Sequence, residues 1–223
     1  MAEKYLAVIK EYLKYHYAGH FLAAFLFCVA APLIVGIEAL DSRQSAQVME
    51  MYLSVIGIIL LVPLFIPEQN KDIRDVVAAR KTPMLFQYVV RLLLGLIFLG
   101  IFVGLFLLWM REGQCRFSFG KSYAGTLANC IFLGGLGIFF YGIGDNLPAA
   151  YMVPMLYYVA NYGSGKKYLG KFFLFSMTSE NSMDEKIWLF VGGGCLLILG
   201  IWWRTSGRRM ITSGKVRIGE RNQ

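Results

Sequence analysis

The sequence predicts an all-α integral membrane protein with six transmembrane helices, and three observations carry that reading. Of the 223 residues, 57% are hydrophobic and only 16% charged, with a mean hydropathy of +0.55, which is too little polar surface to clothe a water-soluble domain of this size. The apolar residues gather into runs near the roughly 17–25 residues that carry a helix across a hydrocarbon core of about 30 Å. Those runs lack the period-two alternation of a membrane barrel, which leaves the helix as the structure that satisfies every backbone group in lipid.

The elements follow in chain order as one transmembrane domain, 1–223. Residues 2–17 predict an interfacial amphipathic helix, with Tyr5, Leu6, Ile9, Tyr12 and Leu13 on one face and Lys4, Lys10, Glu11 and Lys14 on the other. The first span covers about 21–37. Its length and Val29-Ala30-Ala31 also resemble a secretory signal with a small-residue cleavage site, and we read it as retained. A polar loop, 38–47, leads to the second span at about 48–66. The run 67–83, PEQNKDIRDVVAARKTP, is then the long polar stretch of the first half. Ile73, Val76, Val77 and Arg80 recur at spacings of three and four on one helical face, while Lys71, Asp72, Arg74 and Asp75 fall mostly elsewhere. Pro67 suits a first turn and Pro83 a stop, so a short amphipathic helix across a membrane surface is expected.

The third span, about 84–110, carries Gly100 and Gly104 as a GxxxG pair that permits close helix approach. A polar connection, 111–125, precedes the fourth span at about 126–142, whose Gly134, Gly135 and Gly137 suggest packing by protein on much of its surface. Asp145 or Asn146 caps the next helix with Pro148 in its first turn, giving a fifth span at about 147–162 with Pro154 placed to kink it. In 163–186, Lys166, Lys167 and Lys171 are followed by Phe172-Phe173-Leu174-Phe175, an apolar patch too short to span. A re-entrant or interfacial segment on the outer side is expected there. The sixth span, about 187–203, ends at Trp202 and Trp203 before a basic tail, 204–223.

The formal net charge of +8 does not point to nucleic acid, because the basic residues sit beside apolar segments and not along one soluble face. Six spans put both termini on one side, and placing them in the cytoplasm puts thirteen of the 22 Lys and Arg inside against eight outside, as the positive-inside tendency requires. The plasma membrane is the expected location. Cys28, Cys115, Cys130 and Cys195 lack CxxC spacing, and three of them lie in apolar runs where a thiol behaves as a small hydrophobe.

A search for chemistry finds no catalytic constellation. His16 and His20 are four residues apart, a spacing that can hold a metal, but no carboxylate or third ligand accompanies them, and they read as interfacial. Ser164-Gly165-Lys166-Lys167 resembles a phosphate loop but lacks the upstream glycine. The chain is therefore expected to be no enzyme in its own right and to bind no cofactor or metal. Arg91 is the formal charge well inside a span, about 12 Å of helix beyond Pro83; intramembrane charge is functional by default, although an arginine at that depth also snorkels to headgroups. Glu50, at the outer edge of the second span, reads as a solvated end. Tyr141, Tyr151, Tyr157 and Tyr158 suit either a path or packing and interface anchoring. Arg91, Tyr151, Tyr157 and Asn161 are the candidate pathway residues.

With this layout the chain resembles the membrane-spanning permease subunit of ABC-2-type transporters, mostly exporters. The likeness rests on the amino-terminal helix, the six spans, and the stretch from Pro67-Glu68-Gln69 to Arg80-Lys81-Thr82-Pro83. The resemblance implies that 67–83 is a coupling helix docking on a cytoplasmic P-loop ATPase subunit, with Ile73, Val76 and Val77 as apolar knobs and Glu68, Arg74 and Arg80 as rim charges. It implies ATP and Mg on that partner, a second permease opposite this one, and re-entrant helices between the fifth and sixth spans, which Tyr168–Phe175 is similar to. The outer loops are too short for a large gating domain. Two other classes fit the same residues: a stand-alone carrier, for which the two halves carry no clear internal repeat, and a non-transporting accessory or immunity subunit of a membrane complex.

Overall fold

A computed structural model describes residues 17–68, 84–179 and 183–219. Every regular element among them is helical. In chain order these are α1 (Ala18–Ile34), α2 (Ser42–Gln47), α3 (Ile56–Leu61), α4 (Met84–Glu112), α5 (Phe119–Gly144), α6 (Leu147–Ser164), the short α7 (Lys166–Leu169) and α8 (Ser176–Ser179), and α9 (Asp184–Gly219). The interfacial helix expected at 2–17 and the coupling helix expected at 67–83 lie outside the described residues, save for Tyr17 and the backbone of Pro67 and Glu68. The side chain of Glu68, and all of Ile73, Arg74, Val76, Val77 and Arg80, are outside with them.

α2 and α3 belong to one rod, Ser42–Ile66, that changes winding along its length. A π turn, Val48–Tyr52, follows α2, then a 3₁₀ turn, Leu53–Val55, and after α3 a second 3₁₀ stretch, Val62–Glu68. Pro63 and Pro67 lie in that last stretch and have no N–H to give, which removes the bonds that would hold α winding there. The rod starts cleanly because Gln44 Oε1 accepts the Asp41 N–H at 3.1 Å. It is the most enclosed element, 78% of its apolar window being buried.

Side-chain contacts fix the direction of each helix. On the rod, Glu50 meets Lys186 at one end and Phe65 meets Arg204 at the other, while on α5 Asn129 meets Lys186 and Asp145 meets Arg204. Rod, α5 and α9 therefore run parallel. α1 opposes them, Tyr17 reaching Leu60 and Phe27 reaching Tyr52. α4 opposes them too, with Tyr88 against Phe65 and Gly113 N–H and C=O at the start of the rod's approach, where its carbonyl accepts from Ala39. On α6, Tyr158 bonds Met51 O and Ala150 lies under Gly137, so α6 is likewise antiparallel to the rod. Direction alternates through all six long helical segments.

The parallel trio packs backbone to backbone. A Cβ on Gly135 would stand 2.8 Å from Gly193 O, and one on Gly142 2.6 Å from Gly200 O, so two glycine pairs seven residues apart form the α5–α9 seam. Gly57 is closed just as tightly against the Cys130 backbone. The glycines of the fourth span are thus packed by protein, as expected. The Gly100–Gly104 pair differs from expectation: it receives the ring of Tyr123, whose hydroxyl donates to Gly100 O at 3.3 Å, and not another helix backbone.

By length and composition four helices among the described residues suffice to cross a membrane: Ser42–Ile66, Leu85–Glu112, Phe119–Gly144 and Asp184–Thr205. α1, at 17 residues, is a shorter apolar helix, and the tyrosine-rich α6 falls outside that group. Three boundaries also move. Helix α5 begins at Phe119, inside the expected polar connection. The connection expected at 163–186 is shorter, because α6 runs to Ser164 and α9 already starts at Asp184. The expected tail from 204 continues α9 to Gly219, and its first residue, Arg204, is buried.

Candidate functional site

The connection between α6 and α9 turns back into the bundle. Gly165 and Gly170, at φ +65° and +52°, take the left-handed conformations that turn the chain before and after α7. Phe173, Leu174, Phe175, Ser176 and Met177 are then buried. Burying this irregular backbone beside apolar helices exposes peptide groups to a low-dielectric surrounding, where each unmet group costs about 1–3 kcal/mol. The bundle supplies partners for them from four helical elements.

Glu50, fully buried in the π turn, is the principal one. Its carboxylate accepts the Met177 N–H at 2.9 Å, the Thr178 N–H at 2.8 Å and the Thr178 hydroxyl at 2.7 Å. Phe175, which precedes the four-residue α8, has no side-chain acceptor to cap it, and a carboxylate from a distant element takes the first-turn amides. The π turn is the local device that aims Glu50, since an extra residue in one turn rotates the side chains that follow it. Lys186 Nζ pairs with the same carboxylate and donates to Asn129 Oδ1 at 2.9 Å and to Leu174 O. Asn129 Nδ2 donates to Leu174 O and to Ser54 Oγ, both at 3.1 Å. On the other flank Asn161 Oδ1 accepts the Leu174 N–H at 2.9 Å, and Tyr157 OH donates to Phe172 O at 2.6 Å.

A carboxylate and an ammonium in such a place carry a desolvation cost of several kcal/mol each, met only by close pairing and by bonds to every remaining lone pair and proton. Those bonds are present. The chemistry of the cluster is positional: it holds Phe172–Thr178 in one conformation, and none of its groups is arranged as nucleophile and base. Nor do the described residues contain a group of three or more His, Cys, Asp or Glu that would hold a metal.

A second charged cluster lies at the opposite end of the same three elements. Arg204, 2% exposed, donates to Asp145 Oδ1 at 2.8 Å. Its guanidinium sits 4.7 Å from the Phe65 ring centroid and 4.8 Å from that of Tyr141, the two rings being stacked 5.3 Å apart. Asp145 is brought there by its left-handed φ of 49° as the residue that ends α5. Its N–H bonds Tyr141 O, so it closes α5; Asn146 takes the N-cap position of α6 without the expected side-chain cap bond, and Pro148 lies in the first turn.

Among the sequence-predicted pathway residues, Tyr157 and Asn161 come together as braces of the segment 172–174. Tyr151 is half-buried on the same helix, α6, and Arg91 is buried on α4 at the Arg204 end, lying against the bundle instead of extending along an exposed face. The four do not line one space. A groove of about 460 Å³ opens at the Glu50 end between Leu40, Gln44, Gln47, Met51, Tyr52 and Tyr158. Glu50, expected as a solvated end, is instead fully buried, and Lys186 is buried with it at 2% exposure. In the sequence both stand at the first turns of apolar runs, Glu50 alone and Lys186 directly after Asp184 and Glu185. Asp145 and Arg204 stand at the far ends of two runs, the fourth span and the same sixth span that Lys186 begins.

Compared with protein-family models, with curated proteins and with solved structures, the chain matches none significantly.

Proposed function

We propose that the chain is a membrane-spanning permease subunit of an ABC-2-type transporter, working with a separate P-loop ATPase that carries ATP and Mg. In this reading all six alternating helical segments cross the plasma membrane, both termini are cytoplasmic, and a second permease, a copy or a relative, faces this one. The observation that carries the reading is the re-entrant segment. It lies between the fifth and sixth crossings at the end of the bundle where Glu50 sits, while the chain leaves at Glu68 and returns at Met84 at the other end, with Tyr17. A coupling helix and a re-entrant outer segment on opposite sides are what the family resemblance implies. Ile73, Val76 and Val77 then dock in the ATPase, and motion of the clamp reaches the bundle through the proline-bearing end of the rod.

The test is affinity purification in mild detergent from native cells, with Val76→Asp and Val77→Asp variants alongside. A P-loop ATPase should accompany the wild type and be lost from both variants. Its absence from the wild type, under conditions that keep other membrane complexes intact, overturns the proposal and favours a stand-alone carrier. A second reading, a non-transporting accessory or immunity subunit, is favoured by the use of Glu50, Lys186, Asn129 and Asn161 on the chain's own backbone. ATP-driven substrate movement in proteoliposomes separates the two.

A further inference from the structure

The outer face of the re-entrant segment carries lysines that the buried network does not use. Lys171 and Lys167 are both exposed, and neither forms an ion pair among the described residues. Lys171 Nζ lies 4.7 Å over the ring of Trp188, and Lys167 Nζ lies 6.0 Å from the ring of Tyr168. Trp188 is 47% exposed and Tyr168 78%. The acidic groups on the adjoining turn of α9 are Asp184, exposed, and Glu185, buried at 8%. Lys186 is spent on Glu50. Among the described residues the outward charge is therefore positive.

Below Trp188 the same helix face is apolar. Trp188, Val191, Cys195 and Ile198 follow at intervals of three, four and three, a single stripe along α9, and all four are exposed. An ammonium held over an indole at the start of an apolar span, with a hydrocarbon-lined track beneath it, has the layout of a headgroup contact with an acyl path. We propose that this patch binds an anionic diacyl phospholipid. Its phosphate sits against Lys171 with Lys167 alongside, and one chain lies along Trp188, Val191 and Ile198. A zwitterionic choline headgroup fits poorly, because its own cation would face two lysines and, among the described residues, a single exposed carboxylate, Asp184. The inference rests on the membrane reading alone and is independent of any ATPase partner.

The test uses full-length protein in nanodiscs of equal phosphatidylglycerol and phosphatidylcholine, followed by gradual delipidation and counting of retained lipids by native mass spectrometry. Wild type should retain phosphatidylglycerol preferentially. Lys171→Gln and Lys167→Gln should each lower that preference about fivefold, the factor for one basic residue at an anionic surface, and Lys171→Arg should keep it. Lys121→Gln, which removes an exposed charge at the same end of the bundle, should leave it unchanged. Equal retention of the two lipids by wild type overturns the proposal. So does an equal loss in Lys121→Gln, which would mean diffuse attraction and no site.

Discussion

Replacing Glu50 with glutamine keeps the shape of the side chain and removes its charge. Two consequences follow from the geometry. Lys186 keeps Asn129 Oδ1 and Leu174 O but loses its counter-ion while 2% exposed, and breaking a buried pair from one side costs about 3–5 kcal/mol. The new amide group also places donors beside donors: Glu50 Oε1 faces the Met177 N–H and Oε2 faces the Thr178 N–H and hydroxyl, so whichever oxygen becomes nitrogen loses its partner. The expected destabilisation is therefore at the upper part of that range, near 5 kcal/mol. In a chain of this size that corresponds to about 10–20 °C in apparent melting temperature, followed by tryptophan fluorescence in mild detergent. Lys186→Met should cost a comparable amount by leaving Glu50 unpaired. The double variant removes both charges and should be more stable than the sum of the single losses, with a coupling of at least about 2 kcal/mol. Additive losses, or a Glu50→Gln variant that melts within about 2 °C of wild type, would refute the claim that this pair holds the segment.

Other outcomes follow from the packing. Gly193→Ala puts a methyl 2.8 Å from the Phe132 backbone and should prevent or strongly weaken folding, whereas Gly194→Ala, with open space around it, should be neutral; size-exclusion profiles and melting temperatures check both. Arg204→Lys keeps the charge but loses the planar stack on Phe65 and Tyr141, and should lower stability by about 1–2 kcal/mol in the same melts. Tyr157→Phe removes the bond to Phe172 O, so amide hydrogen exchange should speed up in the re-entrant segment more than in α5, a difference that equal protection in both would contradict.

The helices were legible because apolar runs of a given length allow little else in lipid. Glycine composition also foretold that α5 is packed on several sides, yet the sequence could not name the partner helix, since any glycine admits any close backbone. That ambiguity is why Gly100 and Gly104, which look the same as Gly135 and Gly142 on paper, receive a tyrosine ring. The misreading of Glu50 has a different cause. A carboxylate at the mouth of an apolar run is solvated unless something returns to cover it, and the covering segment, 172–178, lies more than a hundred residues away with no periodicity of its own. Asn161 stands among the candidate pathway residues, and its role as a brace comes only with the fold, through the Leu174 N–H that it accepts. Helix α9 runs past the expected end of the sixth span because a break in hydropathy ends a membrane crossing without ending a helix.

The two charged clusters are related by more than their chemistry. Lys186 and Arg204 lie 18 residues apart on α9, about 27 Å of helix and close to the thickness of a hydrocarbon core. Each is met by the rod and by α5, so the same three parallel elements are tied at both boundaries and joined between them by glycine contacts that allow little relative tilt. Between the ties a weak Cys130 Sγ–H bond to Leu53 O joins α5 to the rod, while α9 is held there by glycine packing. A displacement of α9 along its axis must therefore break one buried cation's contacts or the other's, and the two breaks are unequal: Asp145 is 44% exposed and water can replace part of its bond, whereas Glu50 and Lys186 are sealed. Such a displacement should accordingly loosen the Arg204 end first and leave 172–178 in place until Glu50 yields.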